Sequence, residues 1–144
     1  MSLFTIMDIN SMGMRAQRTR MEVSSSNLAN ANTTRTAEGG PYRRMDPIFV
    51  PKEVEHSSFR DVLDHRARKL GVDVQKVVQE NADPILVYDP EHPDANADGY
   101  VAMPNVNIVE EMVNLMTAAR SYEANLSSLT LAKQMAERAA DLGK

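Results

Sequence analysis

The side chains best spaced for chemistry lie in Asp94-Ala95-Asn96-Ala97-Asp98-Gly99. Oxygen ligands at alternate positions with glycine at the sixth form the first half of an EF-hand calcium loop. The second half does not follow. The twelfth position of such a loop holds a bidentate Glu, and here it is Asn105. Pro90 and Pro93 precede the run, and Tyr100–Met103 reads as a strand, so the flanking helices are missing too. The spacing predicts a polar turn rather than a calcium site. His56, His65 and His92 are scattered, and His56 and His65 do not share a helix face. With no cysteine and no His-Glu-x-x-His run, zinc is not indicated. Asp89, Glu91 and Asp94 sit in a proline-rich loop with no apolar wall to raise a carboxyl pKa, so they read as solvated surface. There is no glycine loop ending in Lys-Ser/Thr and no Gly-x-Ser-x-Gly elbow. The sequence thus indicates no catalytic residue, no cofactor and no metal.

What the chain offers instead is surface for packing, and its last third organises that surface. Asn107 is placed to cap a helix, with Glu110 three residues on. Glu110 and Glu111 complement the positive end of the helix dipole. Ile108, Met112, Leu115, Ala119, Tyr122, Leu126 and Leu129 then recur at alternating steps of four and three, a heptad seam. The seam slips in register after Leu129, where Ala132, Met135, Ala139 and Leu142 follow. No proline or glycine interrupts from Val106 to Leu142, and Gly143 ends the run. Thirty-odd residues at 1.5 Å each make a rod of roughly 50 Å. A rod of that length needs a partner along it. Tyr122 packs its ring in the seam while its hydroxyl needs a polar partner, which suits a boundary between subunits.

Residues 3 to about 29 read as a first helix. Ile6, Ile9, Met12 (or Gly13), Ala16 and Val23 share one face, and Met7, Met14, Met21 and Leu28 form a second row at every seventh residue. Unbranched Met tolerates imperfect fit, so this row packs a core or adapts to non-identical neighbours. A polar run from Ser24 to Thr34 follows, in which short side chains compete for backbone hydrogen bonds. Asn27, Asn30 and Asn32 are suited to satisfying free carbonyls or adopting left-handed backbone. Glu38-Gly39-Gly40-Pro41-Tyr42 breaks the chain. The middle predicts short strands at Met45–Val50, Val72–Gln79, Ile85–Tyr88 and Tyr100–Met103. The prolines at 47, 51, 84, 90 and 93 confine them to edges. Ser58–Leu70 has helical spacing and ends at Gly71.

Composition narrows the class further. The 144 residues hold only seven aromatics, so a dense core is not expected and an isolated helix pair leaves apolar surface wet. The net charge of −4 is uneven: residues 1–44 carry +3, residues 45–105 carry −6 and residues 106–144 carry −1. The basic segment has no cluster and no interleaved aromatics, so nucleic acid is not an indicated partner. No apolar run approaches a membrane span. The first residues lack a basic region followed by a continuous apolar one, so no cleaved signal peptide is expected.

Ser25-Ser26-Asn27-Leu28-Ala29-Asn30-Ala31-Asn32-Thr33 resembles the N-terminal signature of bacterial flagellar rod and hook proteins. Gly39-Gly40-Pro41-Tyr42-Arg43-Arg44, Asp98-Gly99-Tyr100-Val101, Met103-Pro104-Asn105-Val106, Glu111-Met112-Val113-Asn114 and Ala119-Arg120-Ser121-Tyr122-Glu123-Ala124-Asn125 narrow the resemblance to the proximal rod members. It implies a structural subunit of the axial drive shaft that transmits torque from motor to hook. The implied route is export without processing by the flagellar type III apparatus, followed by polymerisation in the periplasm. The implied partners are further copies, other rod proteins, and the MS-ring and export-gate side of the basal body. The family usually has a shorter, glycine-rich passage where residues 52–70 stand here.

The expected architecture is mainly α, with two long terminal helices in an antiparallel coiled coil and short strands between them. Residues 1–34 and 105–144 form a discontinuous helical assembly domain. Residues 35–104 form a β-rich module with an unusual insertion at about 52–70. The expected assembly interface is Ile6, Ile9, Met12, Ala16, Val23, Asn27, Asn30, Asn32 and Tyr42 with the seam Ile108, Met112, Leu115, Ala119, Tyr122, Leu126 and Leu129. The other reading is a soluble coiled-coil adaptor or chaperone forming a discrete oligomer. Open-ended growth against a closed dimer separates the two.

Overall fold

The computed structural model describes residues 3–54 and 70–141. Helix α1 spans Leu3–Ala29 and helix α2 spans Ile108–Asp141. Between them lie β1 (Met45–Glu53), β2 (Leu70–Gln79), β3 (Ile85–Tyr88) and β4 (Tyr100–Met103). The start of α2 follows from Asn107, whose side-chain oxygen accepts from the N–H groups of Val109 at 3.1 Å and Glu110 at 3.3 Å. The end of α1 follows from Asn30, whose backbone N–H and side-chain amide both donate to the Ser26 carbonyl, at 3.1 and 2.9 Å. The asparagine run satisfies carbonyls as expected. It does so without left-handed backbone, since among the described residues only glycines have positive φ.

The two helices pack against each other in opposite directions. Asn10 on α1 donates to Ser128 on α2 at 3.1 Å, and Arg20 donates to Asn114 at 3.0 Å, so partner numbers fall as α1 advances. The strands make two separate antiparallel ribbons, β1–β2 and β3–β4. Strand β1 pairs from Met45 opposite Gln79 to Glu53 opposite Leu70, with a bulge between Ile48 and Phe49. A two-stranded ribbon leaves every strand an edge, which is why β1 tolerates Pro47 and Pro51. The β1–β2 ribbon lies on α1. Among the described residues, β3–β4 packs on no other helix or strand.

Both long ribbon strands exceed their expected bounds. The helix expected at Ser58–Leu70 falls outside the described residues except for Leu70, which opens β2 instead of closing a helix. A four-residue step such as Arg66 to Leu70 fits either element, and pairing with Glu53 places Leu70 in β2. The buried core is made of small side chains for the most part. Ala16, Val23, Ala31, Ala118 and Ala132 are buried, with Tyr42, Val54 and Val101. Among the described residues, no helix is long and apolar enough to cross a membrane.

Candidate assembly surface

One polar junction ties together the end of α1, the following loop, β1, β2 and the start of α2. Asn27, the last buried residue of α1, is 1% exposed. Its side chain acts as a strand partner for Met45. The Asn27 amide donates to the Met45 carbonyl at 2.8 Å, and the Met45 N–H donates to Asn27 Oδ1 at 2.9 Å. The Tyr42 hydroxyl donates to the same Oδ1 at 2.9 Å. The backbone leading there is held by Tyr42 N–H donating to the Thr33 carbonyl at 3.0 Å. Asn27 and Tyr42, both expected in the interface, are thus joined inside one subunit. Asn30 is half-buried and accepts from Thr33 at 3.2 Å, while Asn32 is exposed.

Beside Asn27, Arg44 reaches three carboxylates. Its Nε donates to Glu111 Oε1 at 2.7 Å, and its Nη1 lies 3.2 Å from Glu80 and 4.0 Å from Asp46. The Glu111 side chain is 2% exposed. Burial alone would pull the Arg44 guanidinium down, but its hydrogen bonds to Glu111 and Glu80 outweigh burial and hold it above its ordinary value. Sequence reasoning missed this pair. It placed Glu111 at the helix N-terminus as a dipole complement, and the residue instead turns inward to a guanidinium 67 positions earlier. The doublets Arg43-Arg44 and Glu110-Glu111 are the only trace of it in the sequence.

The helix contact differs from the expected seam. The buried residues of α2 are Glu111, Ala118 and Ala132. With Asn125 they form a row at seven-residue steps, one place ahead of Met112, Ala119 and Leu126. A Cβ on Gly13 would come within 2.9 Å of the Asn125 amide, so the helices come close where α1 has no side chain. Close approach selects small and polar residues and turns the bulky ones outward. Leu115, Ala119, Tyr122 and Leu129 are accordingly half-buried at the margin, and Ile108, Met112 and Leu126 are exposed. On α1, Ala16 and Val23 are buried as expected, and Ile6, Ile9 and Met12 are half-buried. Met12 lays its sulfur on Gly71 of β2, where any Cβ would collide with it.

The outward side chains form the exposed apolar surface of the subunit. On α2, Val109, Met112, Val113 and Met116 are exposed at helical spacing, and Leu126, Leu131 and Met135 continue further along. The Asp94–Gly99 segment is a turn, as expected. Asn96 Oδ1 accepts from the N–H groups of Asp98 at 3.0 Å and Tyr100 at 2.8 Å, and Gly99 has φ +83°. Asp94 accepts from Thr34 at 2.7 Å, which links the turn to the loop after α1. His56 and His65 lie outside the described residues. Among those described, no three His, Asp or Glu side chains converge on a metal-sized space.

Residues 7–35 match the family described as "Flagella basal body rod protein", and residues 97–142 match the one described as "Flagellar basal body rod FlgEFG protein C-terminal". Across its whole length the chain is 40% identical over 153 aligned residues to the "Flagellar basal-body rod protein FlgC" of Bacillus subtilis, covering 100% of both chains. The protein of the same description from Borreliella burgdorferi is 42% identical over 144 residues, covering 94% of this chain and 93% of its own. The one from Salmonella typhimurium is 40% identical over 144 residues, covering 100% of both. The chain belongs to the FlgC family of flagellar basal-body rod proteins. The family resemblance read from its motifs therefore holds. The two matched segments are the elements joined at the polar junction: one covers nearly all of α1 with the asparagine loop, and the other runs from the β3–β4 turn to the end of α2. In this FlgC-family chain the signature residue Asn27 holds the junction and Asn30 the end of α1, and the apolar side chains left outside the helix pair are the candidate contacts.

Proposed function

We propose that this chain is a structural subunit of the proximal rod of the flagellar basal body. It polymerises with further copies and with other rod proteins into the shaft that carries torque from motor to hook. Full-length likeness to FlgC proteins carries the reading. The exposed row on α2 supports it, because a subunit that finishes its fold with Val109, Met112, Val113 and Met116 in water gains by burying them against a neighbour. In this reading the chain crosses the inner membrane through the flagellar type III apparatus without losing a signal peptide. It assembles in the periplasm on the MS-ring and export-gate side. Its work is mechanical, with no bond made or broken.

Basal bodies purified from cells carrying a tagged, functional copy test the proposal. The chain is expected in the rod, at its base, and cells lacking it are expected to stop before the rod is complete. Absence from purified basal bodies, with the chain recovered as a discrete soluble oligomer, would instead favour an adaptor or chaperone.

A further inference from the structure

Between Val77 and Ala119 the chain has eight Asp or Glu and no Lys or Arg. Six of those acids, Glu80 to Asp98, flank β3 or fill the β3–β4 turn in sequence, Glu80 being paired with Arg44 and Asp94 with Thr34. Cross-strand partners share a face, so the pairs Leu86–Ala102 and Tyr88–Tyr100 lie together on one side. That side is open: Leu86 is 63% exposed and Tyr88 is 65% exposed, with the Tyr88 and Tyr100 rings edge to face at 5.3 Å. The other side holds Val101, which is fully buried, with Ile85 and Val87 exposed beside it. A two-stranded ribbon alone in water is marginal, and an exposed apolar patch next to an acidic loop suits an interface.

The complementary chemistry lies on α1. Met7, Met14 and Met21 share a face with Arg18, which stands four residues after Met14 and three before Met21. Arg15 and Arg18 are exposed, and the Arg18–Glu22 pair at 2.9 Å is a surface pair that costs little to exchange. Gly13 and Met12, the contacts to α2 and β2, lie on other sides. Flexible thioethers suit tyrosine rings, guanidinium groups suit both rings and carboxylates, and the two surfaces are opposite in charge.

We propose that the open face of β3–β4 in one copy docks on the Met/Arg face of α1 in a second copy. The two surfaces differ, so each copy presents one and accepts one, and the contact propagates without closing. This deepens the rod-subunit reading and rests on it.

The chain has no cysteine, which makes cross-linking unambiguous. Arg15→Cys and Glu91→Cys would be placed together in the full chain, expressed in motile cells, and bridged in purified basal bodies with a short bis-maleimide. The expected result is a ladder of dimers and higher multimers from the double variant. Each single variant should give no ladder, and co-expression of the two singles should give dimers only. Basal bodies that contain the double variant yet yield no ladder overturn the docking and leave the rod reading intact. Absence of the chain from basal bodies overturns both. A second arm uses charge: Arg15→Glu/Arg18→Glu should cut motility by about tenfold or more, and adding Glu91→Lys/Asp98→Lys should restore it. Full motility of the α1 variant, or no rescue, overturns the proposal.

Discussion

Replacing Asn27 with Ala tests the junction directly. The side chain makes three hydrogen bonds, at 2.8, 2.9 and 2.9 Å, in a place that is 1% exposed. Each such bond contributes about 0.5–1.5 kcal/mol net, and a buried group left without its partner costs about 1–3 kcal/mol. Alanine takes this partner from the Met45 N–H and the Met45 carbonyl and leaves the Tyr42 hydroxyl only Ser26 Oγ at 3.4 Å, which sums to about 3 kcal/mol. For a chain of this size that is a fall of about 6–12 °C in the melting midpoint. Tyr42→Phe removes only the hydroxyl and should cost about 1 kcal/mol, or about 2–4 °C. Because both changes break the Tyr42–Asn27 bond, the double variant should fall short of their sum by about 1 kcal/mol. The assay is thermal and urea unfolding of the purified full chain, followed by far-UV circular dichroism. Asn27→Ala within about 0.5 kcal/mol of the parent, or strict additivity with Tyr42→Phe, would refute the clasp.

Other positions give further outcomes. Ala118, fully buried between the helices, should tolerate no growth: Ala118→Leu costs about 1–3 kcal/mol by urea unfolding. Leu126→Asp, at a position 46% exposed, should change subunit stability by under about 1 kcal/mol yet block recovery of the rod in basal bodies. Normal rods with that variant would remove this face from the assembly surface. Arg44→Met leaves Glu111 buried without its cation and should cost about 2–5 kcal/mol, well above Arg18→Met on the surface; equal losses would refute the distinction. Lys52 holds the Asp73 carboxyl below the ordinary carboxylate range through a 2.8 Å hydrogen bond, aided by the Val74 N–H. The contribution of that lowered group is full above its unfolded value and is lost as pH falls through its folded one. Carboxyl NMR titration should show Asp73 titrating low and moving back up in Lys52→Met. Asp94, Asn96 and Asp98 shape a turn, so calcium chelation should leave unfolding midpoints unchanged. A midpoint that falls on chelation, and no longer does so in the triple Ala variant, would refute this.

Local patterns carried much of the fold in the sequence. The bounds of α1 could be read from an uninterrupted run ending in asparagine, and the start of α2 from Asn107. Strands β3 and β4 were legible because turn residues bracket them on both sides. What stayed hidden depends on contacts between distant residues. Hydrophobic periodicity ranks side chains by size, and it put Met112 and Leu126 between the helices. Helix spacing is decided by the smallest residues, Gly13 and Ala118 among them, and this displaces the larger ones to the outside. The Glu111–Arg44 pair spans most of the β region, so no window along the chain contains both. The split of the strands into two ribbons is likewise a matter of which edges meet, about which strand propensity is silent.

The polar ties across the helix pair also determine how it bears load. Asn10–Ser128 and Arg20–Asn114 cross between the helices at separate heights along one axis. Sliding one helix along the other stretches both at the same moment, so resistance adds up. Prying the pair open from the Asp141 end meets them in turn, and each yields alone. The subunit is therefore stiff in axial shear and weak in peeling, and neighbours that cover the free end of α2 would convert the second mode into the first.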